Sequence, residues 1–329
     1  MSDPLVTVGI PVFNGEKSIL AALKSISNQS YKNIEIIVSD NCSTDRTAIL
    51  VNNYAKENPN VKLIKQEINV GLTNNFNYLA SQAQGKYFMW AAHDDTRDPT
   101  YIAKCVSKLE RSDTYGLCAP RAKVKSNNGE KDTWQSCLPK ELQSTNEVKR
   151  FKSAVREFPA VAMYGVYRTS QIRQTSLLPN IVGSDLLFIQ DLVLACAFVE
   201  IEEYLFFYTE RKQWNTKQQD FTIFFGDKKP SKFYSPILLV TKYQFRLVIN
   251  SKIKNFSKVR LLLFLMRNFL VQVAIKISIK IIRKIRPITL REKVVSKFYW
   301  LFMHPKSVEC IDAEIYKMRI INPRFGIQL

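Results

Sequence analysis

Four short apolar runs, each followed by a segment of different periodicity, limit what this chain can fold into. Residues 5–13 (LVTVGIPVF) are a β-rich run stopped by Asn14-Gly15. Residues 16–27 then place Ile19, Leu20, Leu23 and Ile26 on one helical face. Residues 34–40 (IEIIVSD) read as a second strand, with Ser-Thr-Asp at 43–45 as the start signal of a helix through Ile49, Leu50 and Tyr54. A third strand follows at 61–64 (VKLI), then a helix over 73–84 closed by Gly85 at its C-terminal glycine position. The fourth run, 86–92 (KYFMWAA), leads straight into His93-Asp94-Asp95. Strands alternating with helices at this spacing require right-handed βαβ units and a mostly parallel, Rossmann-like sheet flanked by helices.

Ligands of open α/β sheets bind beyond the carboxyl ends of the strands. Here those ends carry Pro11-Val12-Phe13-Asn14, Ser39-Asp40-Asn41, Asn69-Val70-Gly71 and Asp94-Asp95. The dinucleotide pattern G-x-G-x-x-G after the first strand is absent, and so is the P-loop G-x-x-x-x-G-K-[ST]. A phosphate bound here is therefore not cradled by a glycine loop. A divalent cation held by Asp94 and Asp95 would do that work.

Charge divides the chain sharply. Of 48 Lys+Arg and 29 Asp+Glu, residues 211–329 hold 25 and 6, so the whole formal +19 lies there and residues 1–210 sum to zero. We expect a catalytic domain over 1–215 and a basic, largely helical C-terminal region over 216–329. Within residues 259–286, Asn268, Gln272, Lys276, Lys280 and Lys284 recur every four residues, with Arg283 beside them. Phe269, Val273, Ile277 and Ile281 form the neighbouring apolar stripe, an amphipathic pattern suited to an anionic membrane surface. No run of about 18 uncharged apolar residues occurs, which argues against a simple membrane span. Pro11 breaks the first apolar stretch and no basic segment precedes it, so no signal peptide is expected. Six cysteines without C-x-x-C spacing point to reduced thiols, and two histidines are too few for a His-based zinc site.

The blocks PVFNGEKSILAALKSISNQSYKNIEIIVSDNCSTDRT, NVGLTNNFN and HDD with Pro99 four residues on, in this order, resemble the family 2 inverting glycosyltransferases. The resemblance covers roughly residues 5–210. It implies a GT-A fold, a nucleotide-diphosphate sugar donor, UDP-linked by preference, and a Mg²⁺ or Mn²⁺ ion. It further implies that Pro11, Phe13 and Glu16 line the nucleotide pocket and that Asp40 accepts a hydrogen bond from the uracil imide. Asn69 and Gly71 would shape the loop beside base and ribose. Asp94 would reach the metal with Asp95 beside it, although the first acid of the usual D-x-D is replaced, leaving Ala92-His93-Asp94-Asp95. His93 reads as a packing residue rather than a ligand.

Inverting transfer needs one base, which removes the acceptor hydroxyl proton as that oxygen attacks the anomeric carbon. MYGVYRTS at 163–170 and GSDLLFIQDL at 183–192 fit the family's later block, with Asp185 at the base position. Asp191 is the fallback, expected on the solvent side of an apolar helix. Arg211, Lys212 and Trp214 follow where the family closes over the diphosphate. The resemblance implies sugar transfer to a glycan or lipid-linked acceptor, in cell-surface polysaccharide synthesis. The location expected is cytoplasmic, peripheral at the inner face of the membrane. Two other classes are weighed against this. A nucleic-acid-binding protein would use the basic tail on phosphates, but no nucleic-acid motif is present. A catalytically inactive scaffold is motivated by the missing first acid.

Overall fold

Strands β1 (Val6–Val12) and β2 (Ile34–Asp40) pair in parallel from Val6 opposite Ile34 to Val12 opposite Asp40, so both chains leave the sheet at one edge. Strand β3 (Val61–Lys65) adds to β2 and β4 (Tyr87–Trp90) to β1, again in parallel. Both faces of β1 and β4 are buried, which explains their near-continuous apolar sequences. Helices α1 (Ile19–Ser27), α2 (Thr47–Glu57) and α3 (Leu72–Gln82) make the crossovers. The computed structural model describes residues 3–125, 135–209 and 236–282.

The second half of the sheet is mixed. Its elements are β5 (Thr96–Arg97), α4 (Tyr101–Glu110), β6 (Tyr115–Lys125), β7 (Gln135–Ser136) and α5 (Glu147–Arg156). They continue with β8 (Val166–Arg168), α6 (Thr169–Ile172), α7 (Ser184–Ala195) and β9 (Ala197–Thr209). The sheet order is β3-β2-β1-β4-β8-β6-β9-β5, with β7 paired to β6. Strand β8 is antiparallel to both β4 and β6, and β5 is antiparallel to β9. The long β6 and β9 pair in parallel, with register shifts around Tyr115–Leu117 and Pro120–Ala122.

Two local expectations are corrected. Gly85 does not cap α3, whose C-cap is Ala83 in extended geometry. A Cβ at Gly85 would lie 2.5 Å from the Leu5 carbonyl oxygen and 2.9 Å from the Thr7 nitrogen, so the glycine is there because backbone passes against backbone. The start signal at 43–45 does not cap α2 directly either. The helix begins at Thr47, and the Asp45 carboxylate accepts from the Thr47 N–H and hydroxyl.

The chain divides into two units, Met1–Leu262 and Leu263–Leu329. The last described elements are α8 (Pro236–Asn250) and α9 (Asn255–Ile282). Among the described residues of the second unit, Leu263, Met266 and Leu270 are exposed large apolar side chains, while Phe269 and Val273 of the expected stripe are half-buried. The side chains of Lys276, Ile277, Lys280 and Ile281 lie outside the described set, and Arg283 and Lys284 lie outside the described residues. No helix among the described residues is long and apolar enough to cross a membrane.

Candidate active site

The site begins where β1 and β2 end. Asn41 N–H donates to the Val12 carbonyl at 2.9 Å, so the two exits run together. Asn14 N–H donates to Ser43 Oγ (2.9 Å) and Gly15 N–H to Thr47 Oγ1 (2.8 Å). Glu16 N–H donates to Asp45 Oδ2 (3.1 Å), and Glu16 Oε2 accepts from the Arg46 N–H (3.1 Å). Thr44 N–H donates to Asn14 Oδ1 at 2.9 Å. Residues 14–16 and 43–47 are thus one lattice rather than two loops. Burial alone would raise the Asp45 carboxyl, but hydrogen bonds from Thr47 and the Glu16 backbone outweigh it and hold the group below its ordinary value. The Glu16 carboxylate is committed within this lattice. Pro11 is buried and Phe13 half-buried beside it.

Asp40 is fully buried. Its Oδ1 accepts from the Ser43 N–H at 3.1 Å, while Oδ2 has no hydrogen-bond partner. A buried carboxylate oxygen left open is costly unless a donor arrives to meet it. Beside it, Asn41 Nδ2 donates to Asn69 Oδ1 (2.8 Å), which also takes the Gly71 N–H, and Asn41 Oδ1 accepts from the Val70 N–H. Gly71 has φ of +83°, a conformation that favours glycine, and it starts α3. Ser39 and Asn75 exchange hydrogen bonds that seat α3 on β2.

A third corner comes from β4. His93 packs over Gly15, where a Cβ would lie 2.9 Å from His93 Nδ1, and that nitrogen is 2.9 Å from Ser18 Oγ. His93 therefore joins the β4 end to the start of α1, as a packing residue would. Asp94 is half-buried and Asp95 only 1% exposed. Arg97, 4% exposed, lies over the rings of Phe206 (4.8 Å) and Tyr101 (5.5 Å) and donates to the Trp90 carbonyl. Its Nε and Nη1 have no hydrogen-bond partner.

The core holds α7, which carries Asp185 in its first turn, against β4. The fully buried Trp90 ring meets Phe88, Tyr167 and Phe188 edge-on at 4.8, 5.5 and 5.2 Å. Phe188 lies one turn beyond Asp185, and Trp90 lies four residues before Asp94. Such ring pairs contribute about 0.5–1.5 kcal/mol each beyond their buried area. Asn77 fixes the approach to α7, donating to the Leu178 carbonyl (2.8 Å) and accepting its N–H (3.0 Å). Arg150 of α5 donates to the Val193 carbonyl at the other end of α7.

Tyr164 ends the 3₁₀ turn Ala160–Tyr164. Burial pushes its phenol far above the usual tyrosine range, and the charges of Asp95, Tyr208, Asp94 and Asp185 add to the effect. Burial also raises the Asp185 carboxyl above its ordinary value of 3.8, against the Leu186 N–H that lowers it. Asp191 lies on the solvent side of the helix only in part. It is half-buried, its Oδ2 accepts from the Ser176 N–H at 2.8 Å, and burial raises its carboxyl. Helix α7 is buried on most sides, and Asp191 stands with the exposed Ala195, one turn on, at its open side.

Two adjacent carboxylates at a strand end are hard oxygen donors and fit Mg²⁺ or Mn²⁺. Among the described residues no three His, Cys, Asp or Glu side chains form a metal-binding group. An ion held by Asp94 and Asp95 would need phosphate oxygens to complete its shell. Arg211, Lys212 and Trp214 lie outside the described residues. Sequence reasoning missed Asn41, Arg97 and Tyr164. Asn41 and Arg97 adjoin the acids in the blocks SDNCSTD and HDDTRD, and Tyr164 stands within MYGVYRTS, so position within a block was the available signal.

Residues 7–170 match glycosyl transferase family 2. The chain belongs to that family. This family 2 chain is 37% identical over 110 residues to an uncharacterized glycosyltransferase of Haemophilus influenzae, covering 33% of this chain and 34% of that protein. It is 35% identical over 115 residues to the putative glycosyltransferase EpsE of Bacillus subtilis, covering 35% and 41%. It thus spans only about a third to two-fifths of the length of these curated relatives. Among solved structures, S. aureus TarS 1–349 in complex with UDP superposes with a TM-score of 0.58 at 19% identity, over 80% of this chain and 70% of that one. The mannosyltransferase PcManGT from Pyrobaculum calidifontis, in complex with GDP-Man and Mn²⁺, gives 0.54 at 13% identity, over 100% and 89%. At these identities the likeness shows the fold, which is GT-A.

Proposed function

We propose that this chain is an inverting glycosyltransferase. It moves a sugar from a nucleotide-diphosphate donor, a UDP-sugar, to a hydroxyl of a glycan or lipid-linked acceptor in cell-surface polysaccharide synthesis. The observation that carries this reading is the packing of α7 on β4 through Phe188 and Trp90, which sets the helix bearing Asp185 in its first turn against the strand that runs into Asp94 and Asp95. The open Oδ2 of buried Asp40 supports a nucleotide at the β1–β2 exit, where it would accept the imide N–H of uracil. TarS in complex with UDP and with UDP-GlcNAc makes UDP the first base to try.

Asp185 takes the acceptor hydroxyl proton as the acceptor oxygen forms its bond to the anomeric carbon. On the opposite side of that carbon, the bond to the diphosphate oxygen breaks and the diphosphate leaves with the electron pair. A carboxyl raised towards neutrality by burial is a better match for this proton than an ordinary aspartate. Asp94 and Asp95 would hold a Mg²⁺ or Mn²⁺ ion, which when bound supplies positive charge to the leaving diphosphate.

The protein would work at the cytoplasmic face of a membrane, held peripherally by its basic C-terminal region. Helices α8 and α9 contain no Asp or Glu, and the +19 excess beyond residue 210 supports an anionic leaflet as the surface. The deciding experiment is nucleotide release from a panel of UDP- and GDP-sugars with Mn²⁺, with an EDTA arm. Release from one donor that EDTA suppresses is expected. Absence of release from every donor, with binding intact, leaves a scaffold and overturns the enzyme reading.

A further inference from the structure

Helix α7 carries a second polar face, away from Asp185. Buried Gln190 donates to the Ala154 carbonyl (3.3 Å) and accepts from Nε2 of Gln244 on α8 (3.0 Å), and Gln244 is itself buried. This amide pair fastens α8 to α7. Between the two helices and the segment 171–179 lies a cleft of about 640 Å³, within the ~300–1,000 Å³ usual for small-molecule sites. Its α7 wall is Leu187, Asp191 and Leu194, spaced by four and three residues and so on one face. The helical repeat turns that face roughly 120° or more from Asp185, so the cleft is separate from the donor corner. Its loop wall is built without a ligand. Leu177 has φ of +55°, a conformation that its neighbours must impose on a bulky residue. Ser176 N–H is held by Asp191 Oδ2 on one side of it, and both backbone groups of Leu178 are held by Asn77 on the other.

The walls define the occupant. Asp191 is half-buried in the cleft, and no cation of the described residues pairs with it. On the α8 side stand Asn250 and Tyr243, whose ring centre lies 6.0 Å from the Arg246 guanidinium. Arg246 and Lys252 are exposed, so the deeper charged group is an acceptor and asks for a donor. A hydrocarbon would strip water from Asp191 and give nothing back. A sugar ring offers hydroxyls to the carboxylate and the amide, and an apolar face to the tyrosine. We propose that this cleft binds a glycan, held on another face of α7 from the transfer site. Its hydroxyls donate to Asp191 and one ring lies on Tyr243. The site goes beyond sugar transfer: it uses neither the donor nor Asp185, and would serve a scaffold as well as an enzyme.

The test is retention of the full chain on immobilised glucans, galactans, N-acetylglucosamine oligomers and sulfated chains, followed by calorimetry with the chain held best. A neutral chain should bind. Asp191→Asn still accepts the Ser176 N–H and keeps the fold, but loses the charge, so Kd should rise about 10- to 100-fold. Tyr243→Ala, an independent variant on the other wall, should raise it about 5- to 10-fold. Asp185→Asn should bind as wild type does. No neutral chain retained, or one that both cleft variants bind as wild type does, overturns the proposal. A loss in Asp185→Asn equal to that in Asp191→Asn puts the chain in the transfer site and overturns it. Retention of sulfated chains alone, lost in Arg246→Gln and kept in Asp191→Asn, makes the cleft an anion site and overturns it as well. Glycan binding that follows Asp191 and Tyr243, with no nucleotide released from any donor, supports the cleft and refutes the enzyme reading alone.

Discussion

The Asp40 carboxylate has one oxygen committed and one open, which makes its amide an informative substitution. Asparagine keeps an acceptor for the Ser43 N–H but replaces the open Oδ2 with a donor, which cannot meet the uracil imide. Hydrogen bonds to charged groups are worth about 1.5–3 kcal/mol, so Asp40→Asn should weaken UDP binding about 10- to 100-fold with little change in melting, read by calorimetry. Asp185→Asn should separate catalysis from stability. Transfer should fall ~10²–10⁴-fold, since the amide accepts no proton. The raised carboxyl means that the folded state holds its proton more tightly than the unfolded chain, so ionising it costs stability. That cost is absent below pH 3.8, grows as pH rises towards the raised value, and is complete above it. The amide variant should therefore melt no lower than wild type at pH 7–8 and lose any advantage in acid. Wild-type kcat should fall on the acid side at a pH above the ordinary carboxylate value. A melting temperature that drops at pH 8 would show that the carboxylate's hydrogen bond to Leu186 outweighs its burial.

Strands β1, β2 and β4 were legible because a strand buried on both faces must be an apolar run, the half-exposed β3 because of its short alternating VKLI, and the crossover helices because one face of each is wet. Strand β8 has three residues and was not legible, nor was the β6–β9 pairing, which joins segments some eighty residues apart by backbone bonds that no local pattern encodes. Helix α7 defeated periodicity for another reason. Most of its residues are buried, so its polar positions at Gln190 and the half-exposed Asp191 carry hydrogen bonds within the fold and leave no clean apolar stripe. The candidate acids were named from their blocks, but the burial of Arg97 beside Asp95 was not legible, because an arginine after Asp-Asp reads as a surface turn. At this scale the Asn77 clamp is the informative target. Asn77→Ala leaves the N–H and carbonyl of buried Leu178 without their partner. The variant should lose about 2–3 kcal/mol in denaturant unfolding. Transfer should fall with it, because the clamp leads into α7, while UDP affinity should hold, because the β1–β2 exit is untouched. Equal loss of both would place the clamp under the whole site.

Over the whole molecule, a neutral body and a strongly basic tail predict attachment that depends on salt. Lys276, Lys280, Arg283 and Lys284 together could add a few kcal/mol on an anionic leaflet, at about 1 kcal/mol per charge within a Debye length. Co-sedimentation with anionic vesicles at low salt, lost at high salt and reduced when the four become Gln, is the expected result. Equal behaviour of both proteins on anionic and neutral vesicles would count against a membrane surface. The strand order has a different consequence, in time rather than in space. Strand β5, immediately after Asp95, has β9 as its neighbour in the sheet, and β9 ends at residue 209. The nucleotide corner closes from local βαβ units as the first hundred residues emerge from a ribosome, whereas Asp94 and Asp95 wait for a strand made a hundred residues later. On the proposed reading, a nascent chain of this protein would meet its base before it could hold the phosphates.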